Sequence, residues 1–273
     1  MATLCAWPSA IAQEADYDNE LAAIEKELMA ELSVWDHSFD LRLGGGYKEN
    51  VTLSAFAEES SPFTAIGFDF MAIRIPLAED GVEVTVFGAL DDRRYLDAKS
   101  VDSEQSGLLN VSLEKNLAES WQLKTDFRVI YIDEIFDASL TEDDIGTVQV
   151  VGKQISLVPA LRRSLPANFW IQASPEVTRQ YFAEPLDDYL EIGGQISFGV
   201  DYGFKSELLL YAETLRRDYE TRSQRDEIGF YIPDTDLSYD RPERGVEWVH
   251  YWDSGRRLRM RTRYSTLENE DSG

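Results

Sequence analysis

The amino-acid sequence predicts an all-β fold: an antiparallel, up-and-down β-barrel of transmembrane type, about 12 strands when complete and 11 of them visible, with one N-terminal amphipathic helix. Three observations predict it. From Phe39 to the end, apolar and polar residues alternate with a period of two, which sends them to opposite faces of a strand. Most of these segments outrun the roughly five or six residues usual in globular strands. They reach the roughly nine to eleven that a tilted strand needs to cross a bilayer. The connections between them also alternate, short then long, as in barrels whose long loops lie on the outer side.

The elements follow in order. Residues 1–13, MATLCAWPSAIAQ, end in Ala10-Ile11-Ala12 and read as the remnant of a secretory signal peptide, although a basic n-region and a longer apolar core are missing. An ordinary terminal tail competes with that reading. Cys5 lies inside this segment and is the only cysteine, so the remaining chain offers no disulfide, no Cys-based zinc site and no thiol nucleophile. Leu4 before it is too large for a lipoprotein acceptor. Residues 14–37 are an amphipathic helix (17–35) and a linker. Asp18 or Asn19 caps the helix, and Leu21, Ile24, Leu28, Leu32 and Trp35 recur at three- and four-residue steps. That stripe must be covered, by the barrel mouth, by a periplasmic helical domain, or by another subunit through Leu21, Ile24 and Leu28.

Residues 38–273 form the barrel. Alternating segments start near 38, 63, 82, 107, 121, 147, 168, 189, 205, 245 and 256, with phase unclear in the second and sixth. The cleanest sets Leu190, Ile192, Ile196, Phe198, Val200 and Tyr202 against Glu191, Gln195, Ser197 and Asp201. Connections near Ala78–Gly81, Asn116–Ser120, Arg162–Ala167, Gly203–Phe204 and Ser254–Gly255 are short. Those near Phe56–Pro62, Arg94–Ser106, Ile135–Gly146, Phe182–Asp188 and Glu220–Arg244 are longer and more acidic. A soluble sandwich shares the period but has no reason to sort its loops by parity.

Composition removes other classes. With 26 Lys+Arg against 51 Asp+Glu in 273 residues, the net charge of -25 speaks against nucleic acid as a partner. It also speaks against a basic helix lying on anionic lipid. The 43% hydrophobic and 12% aromatic content is too high for a disordered chain.

The run Gly44-Gly45-Gly46-Tyr47-Lys48-Glu49-Asn50-Val51-Thr52-Leu53-Ser54, followed by the long series of strands, resembles the opening strand and loop of Gram-negative outer-membrane β-barrels. It is similar to porin-like barrels found after periplasmic helical-repeat domains, as in surface-lipoprotein-assembly modifiers. The resemblance implies a bacterial outer-membrane location with lipid as a partner. It departs from the pattern in two ways: eleven strands is an odd count, and the chain ends at Glu270-Asp271-Ser272-Gly273 rather than on an aromatic residue. A missing closing strand is the expectation that follows.

In such a barrel the polar face lines the lumen. The expected pore-lining set is Arg42, Lys124, Asp126, Arg128, Glu191, Glu213, Glu247, Arg257, Arg259, Arg261 and Arg263, with Asp40, Asp201, Glu207, Arg217 and Asp253 on the same face. A hairpin closing around Gly255 places Arg257 opposite Asp253 and Arg263 opposite Glu247. The arginine ladder points to passive diffusion of small polar or anionic solutes. Export or assembly of a surface protein or polysaccharide, and a plugged structural or adhesive barrel, are the alternatives. No cofactor is expected. The two histidines, His37 in the linker and His250 among girdle tryptophans, lack a visible serine partner and support no enzyme. The acidic clusters Glu142-Asp143-Asp144 and Asp234, Asp236, Asp240 read as solvated loops rather than calcium sites.

Overall fold

The computed structural model describes residues 33–51, 58–78, 81–137, 147–184, 186–225, 228, 230–252 and 256–269. The signal-peptide remnant, the helical stripe at Leu21, Ile24 and Leu28, and the cluster Glu142-Asp143-Asp144 lie outside the described residues. The described chain is one antiparallel meander in strict chain order. Its strands are β1 Ser33–Lys48, β2 Ser61–Pro76, β3 Val82–Tyr95, β4 Ser103–Ala118, β5 Trp121–Asp137 and β6 Thr147–Ser164. They continue with β7 Phe169–Phe182, β8 Tyr189–Tyr202, β9 Ser206–Arg225, β10 Tyr231–Tyr251, β11 Arg257–Ser265 and the short β12 Glu268–Asn269. Both β11 and β12 pair with β10, so β12 resumes the edge that β11 leaves, and Thr266 donates to the Pro242 carbonyl between them.

Two sequence expectations are corrected. The linker and the end of the expected helix, residues 33–37, belong to β1, with Trp35 opposite Arg74 and His37 opposite Ala72. The β-branched and aromatic pair Val34-Trp35 suits a pleated surface, and β2 supplies a template along its whole length. The long loop expected at Glu220–Arg244 is instead the end of β9 and the first half of β10, which places Asp236 and Asp240 in a strand.

The sheet is inside out by the standards of a water-soluble protein. Phe39 (74% exposed) and Ile196 (62%) stand on the open face, whereas Thr178 (1%) and Ser197 (2%) are sheltered. The sheet therefore curls around its polar side. Lys48 of β1 reaches Glu104 of β4 across that side, three strands away. On the open face, aliphatic residues such as Leu41, Ile66, Leu109, Leu157 and Leu210 form a middle band. Trp35, Trp121, Phe169, Phe204 and Trp252 rim the end with short turns, and Tyr47, Tyr181 and Tyr264 rim the end with long connections. Cations settle on those rims, Arg163 over Trp121 at 5.2 Å and Lys153 over Tyr181 at 5.6 Å. An apolar band flanked by aromatic girdles is the surface that a bilayer selects.

Among the described residues no ladder joins β1 to β11, so closure of the cylinder is not part of the observed pairing. These edges run in the same direction. Antiparallel closure between them requires an odd number of further strands.

Candidate functional site: the polar inner wall

Ladder pairing assembles the inner wall from residues distant in sequence. One row runs from Arg128 of β5 through Ser156, Thr178, Glu191 and Arg217 to Tyr239 of β10, each directly opposite the next. All the expected pore-lining residues take this inner face, and the structure sorts them into separate clusters.

In the first cluster, the Arg42 guanidinium is bonded to Asp69 and lies 3.3 Å from Asp91. Gly67 makes this possible: a Cβ there would stand 2.7 Å from the Asp91 carboxylate and 2.9 Å from Arg42. In the second, Glu104 gathers Lys48 at 3.0 Å, Arg93 at 2.9 Å and the Tyr95 hydroxyl at 2.7 Å. In the third, Arg217 donates through Nε to Glu191 at 2.5 Å and lies 4.1 Å from the Tyr189 ring centre. Glu191 is only 8% exposed, so losing its partner would leave a sheltered, uncompensated charge.

The arginine ladder forms the fourth cluster. Arg259 binds Glu247 at 2.8 Å. Arg261 donates to the Tyr211 hydroxyl at 2.9 Å and lies 3.4 Å from Glu243, which also accepts from Tyr211 at 2.7 Å. The pairing differs from expectation by two residues: Arg261, not Arg263, faces Glu247, and Arg257 faces Tyr251. The turn is longer than Gly255 alone suggested, being closed by the Trp252 N–H on the Arg256 carbonyl at 3.0 Å. Asp253 lies outside the described residues. Arg263 stands opposite Gly245. Lys124 lies 3.5 Å from Asp126, and Glu213 is 3.7 Å from Arg241. Arg128 is exposed on the wall and has no carboxylate partner among the described residues.

Glu104, Glu243 and Tyr211 escaped the sequence reading. Glu243 shares the phase of Glu247, a signal hidden because its segment read as loop. Glu104 and Tyr211 become visible only through pairing.

His250 also has a serine neighbour that the sequence could not reveal. Its Nδ1 is 3.5 Å from Ser206 Oγ and 3.4 Å from the Tyr202 hydroxyl. Ser206 is 2% exposed, donates to the Phe204 carbonyl and accepts from the Tyr251 N–H. It ties the β8–β9 turn to the end of β10. His37 is a β1 residue rather than a linker residue. Among the described residues no three His, Cys, Asp or Glu side chains converge as metal ligands.

No family model and no curated protein matches the chain. Among solved structures, the β domain of the Bordetella autotransporter BrkA is similar over 86% of this chain and 93% of that one, with a TM-score of 0.39 and 14% identity.

Proposed function

We propose that this chain is an outer-membrane β-barrel that passes small polar solutes through a charge-lined lumen, with outer-membrane lipid as its surrounding partner. The observation that carries the reading is the reversed surface: an exposed apolar band between two aromatic girdles, backed by a sheltered wall of Ser, Thr, Gln and Glu. Such a conduit needs neither cofactor nor catalytic group. Its selectivity differs from what a bare arginine ladder would give. Arg259 and Arg261 are held by Glu247 and Glu243, so the strip is largely neutralised where charge matters most. Anion preference then falls to Arg128 and Arg263, and is weak.

The experiment is single-channel recording in a planar bilayer under a salt gradient. Open current with a reversal potential slightly toward the anion value is expected. Verified insertion without current would overturn the conduit and turn the reading to export or surface display.

A further inference from the structure

The inner wall between β7 and β10 carries a ladder of aromatic rings that passage of small ions does not require. Phe182, Tyr189, Tyr219 and Tyr239 come from four consecutive strands, with ring centres 6.3, 5.4 and 6.3 Å apart. All four are half-buried, so each keeps some of its ring open. Tyr189 stands directly opposite Tyr219 in the ladder. Part of this aromatic surface cushions Arg217, which lies 4.1 Å from Tyr189 and 5.3 Å from Tyr239. Phe182 lies beyond those contacts.

Phe182, Tyr189 and Tyr219 line a cavity of about 880 Å³, inside the roughly 300–1,000 Å³ range of small-ligand sites. Asp187, Arg217, Thr221, Arg222 and Ser223 are among its polar groups. The Thr221 hydroxyl donates to Asp187 at 2.7 Å, and Arg222 lies over the Tyr219 ring at 5.3 Å. Arg217 is neutralised by Glu191, and Asp187 and Arg222 bring one charge of each sign to the lining, while the chain as a whole carries -25 and repels polyanions.

Rigid aromatic faces beside a carboxylate, a hydroxyl and a guanidinium suit a ligand with apolar faces and a hydroxylated rim. A pyranose ring has that shape: its axial C–H groups pack on an aromatic face while its equatorial hydroxyls reach polar neighbours. A peptide strand would instead seek an open sheet edge, and neither β1 nor β11 lines this cavity. We infer that the cavity is a binding subsite for a neutral oligosaccharide segment, with sugar faces against Phe182 and Tyr219 and hydroxyls bonded to Asp187, Thr221 and Arg222. The inference rests on the reading of an accessible lumen, but its test does not use conduction.

The full chain, refolded in detergent micelles, is titrated by calorimetry with maltohexaose, cellohexaose and hexa-N-acetylchitohexaose, and separately with oligogalacturonate and an unfolded polar peptide. Binding of at least one neutral hexaose is expected, weakened tenfold or more by Tyr219→Ala and retained by Tyr219→Phe. Asp187→Asn, in the turn before β8, should weaken it several-fold and serves where Tyr219→Ala does not refold. Failure of all three neutral sugars to bind overturns the inference. So does oligogalacturonate or peptide binding more tightly than any of them, or sugar affinity untouched by both Tyr219→Ala and Asp187→Asn. Sugar binding without bilayer current would keep the subsite and remove the conduit; current without binding would do the reverse.

Discussion

Four glycines on the inner wall each lie under an aromatic ring from the strand directly opposite: Gly46 under Phe63, Gly152 under Phe182, Gly199 under Trp170 and Gly245 under Tyr211. The glycine leaves the space that the ring fills, which pins register at each pair. The tightest is Gly199, where a Cβ would stand 2.3 Å from the Trp170 ring, itself 4% exposed and donating to Asp201 at 3.1 Å. Gly199→Ala should cost about 1–3 kcal/mol in urea unfolding of the refolded protein. Gly44→Ala, with nothing within 4 Å of the added carbon, should be near neutral. Equal effects would remove the ring-over-glycine argument. A second residue-scale prediction concerns the long-connection end. There the Glu59 carboxylate accepts from the Ser100 hydroxyl and the Lys99 and Ser100 N–H groups, which hold it below its ordinary value of 4.5. A carboxyl whose folded pKa is lowered adds stability above its ordinary value and loses it as pH falls through the folded pKa. The 96–102 connection should therefore become protease-sensitive on acidification below about pH 4.5, and in Glu59→Gln already at pH 7. A variant as resistant as the wild type at pH 7 would contradict this.

The β10–β11 hairpin shows at the scale of elements what determines selectivity. Because Glu247 holds Arg259, replacing both partners together (Arg259→Gln with Glu247→Gln) removes one charge of each sign, a compensated change. Arg128→Glu acts on a guanidinium with no carboxylate partner among the described residues. The reversal potential should move toward cations more for Arg128→Glu than for the Arg259→Gln/Glu247→Gln double variant; the opposite order would mean that the ladder, not Arg128, controls the field. Much of this element plan was legible in the sequence. Segments such as Leu190–Tyr202 were correctly phased because lipid on one side and water on the other enforce strict alternation. The first half of β10 was not legible, because Pro233 and the acidic run Asp234–Asp240 resemble a loop, and strands projecting past the bilayer lose the apolar constraint. The hairpin register slipped by two because one glycine does not reveal turn length. Ser206 beside His250 and the rings over glycines are products of pairing across the sheet, which local periodicity cannot carry.

At the scale of the molecule, everything turns on which face meets lipid. A polar wall of ion pairs sheltered by curvature and an apolar band left open would be unstable in water, where exposed apolar surface of this extent drives association. In a bilayer the same arrangement is the stable one, its strands joined by antiparallel ladders that the β6–β7 pair interrupts around Pro159 and Pro175. The most direct test places an environment-sensitive fluorophore on single cysteines at Ile196 and Ser197, with Cys5 changed to Ser, in proteoliposomes containing spin-labelled lipid. The neighbours point to opposite faces of β8, Ile196 outward at 62% exposed and Ser197 inward at 2%. Strong quenching at Ile196 and little at Ser197 is predicted. Equal quenching, or quenching only at Ser197, would contradict the membrane barrel itself.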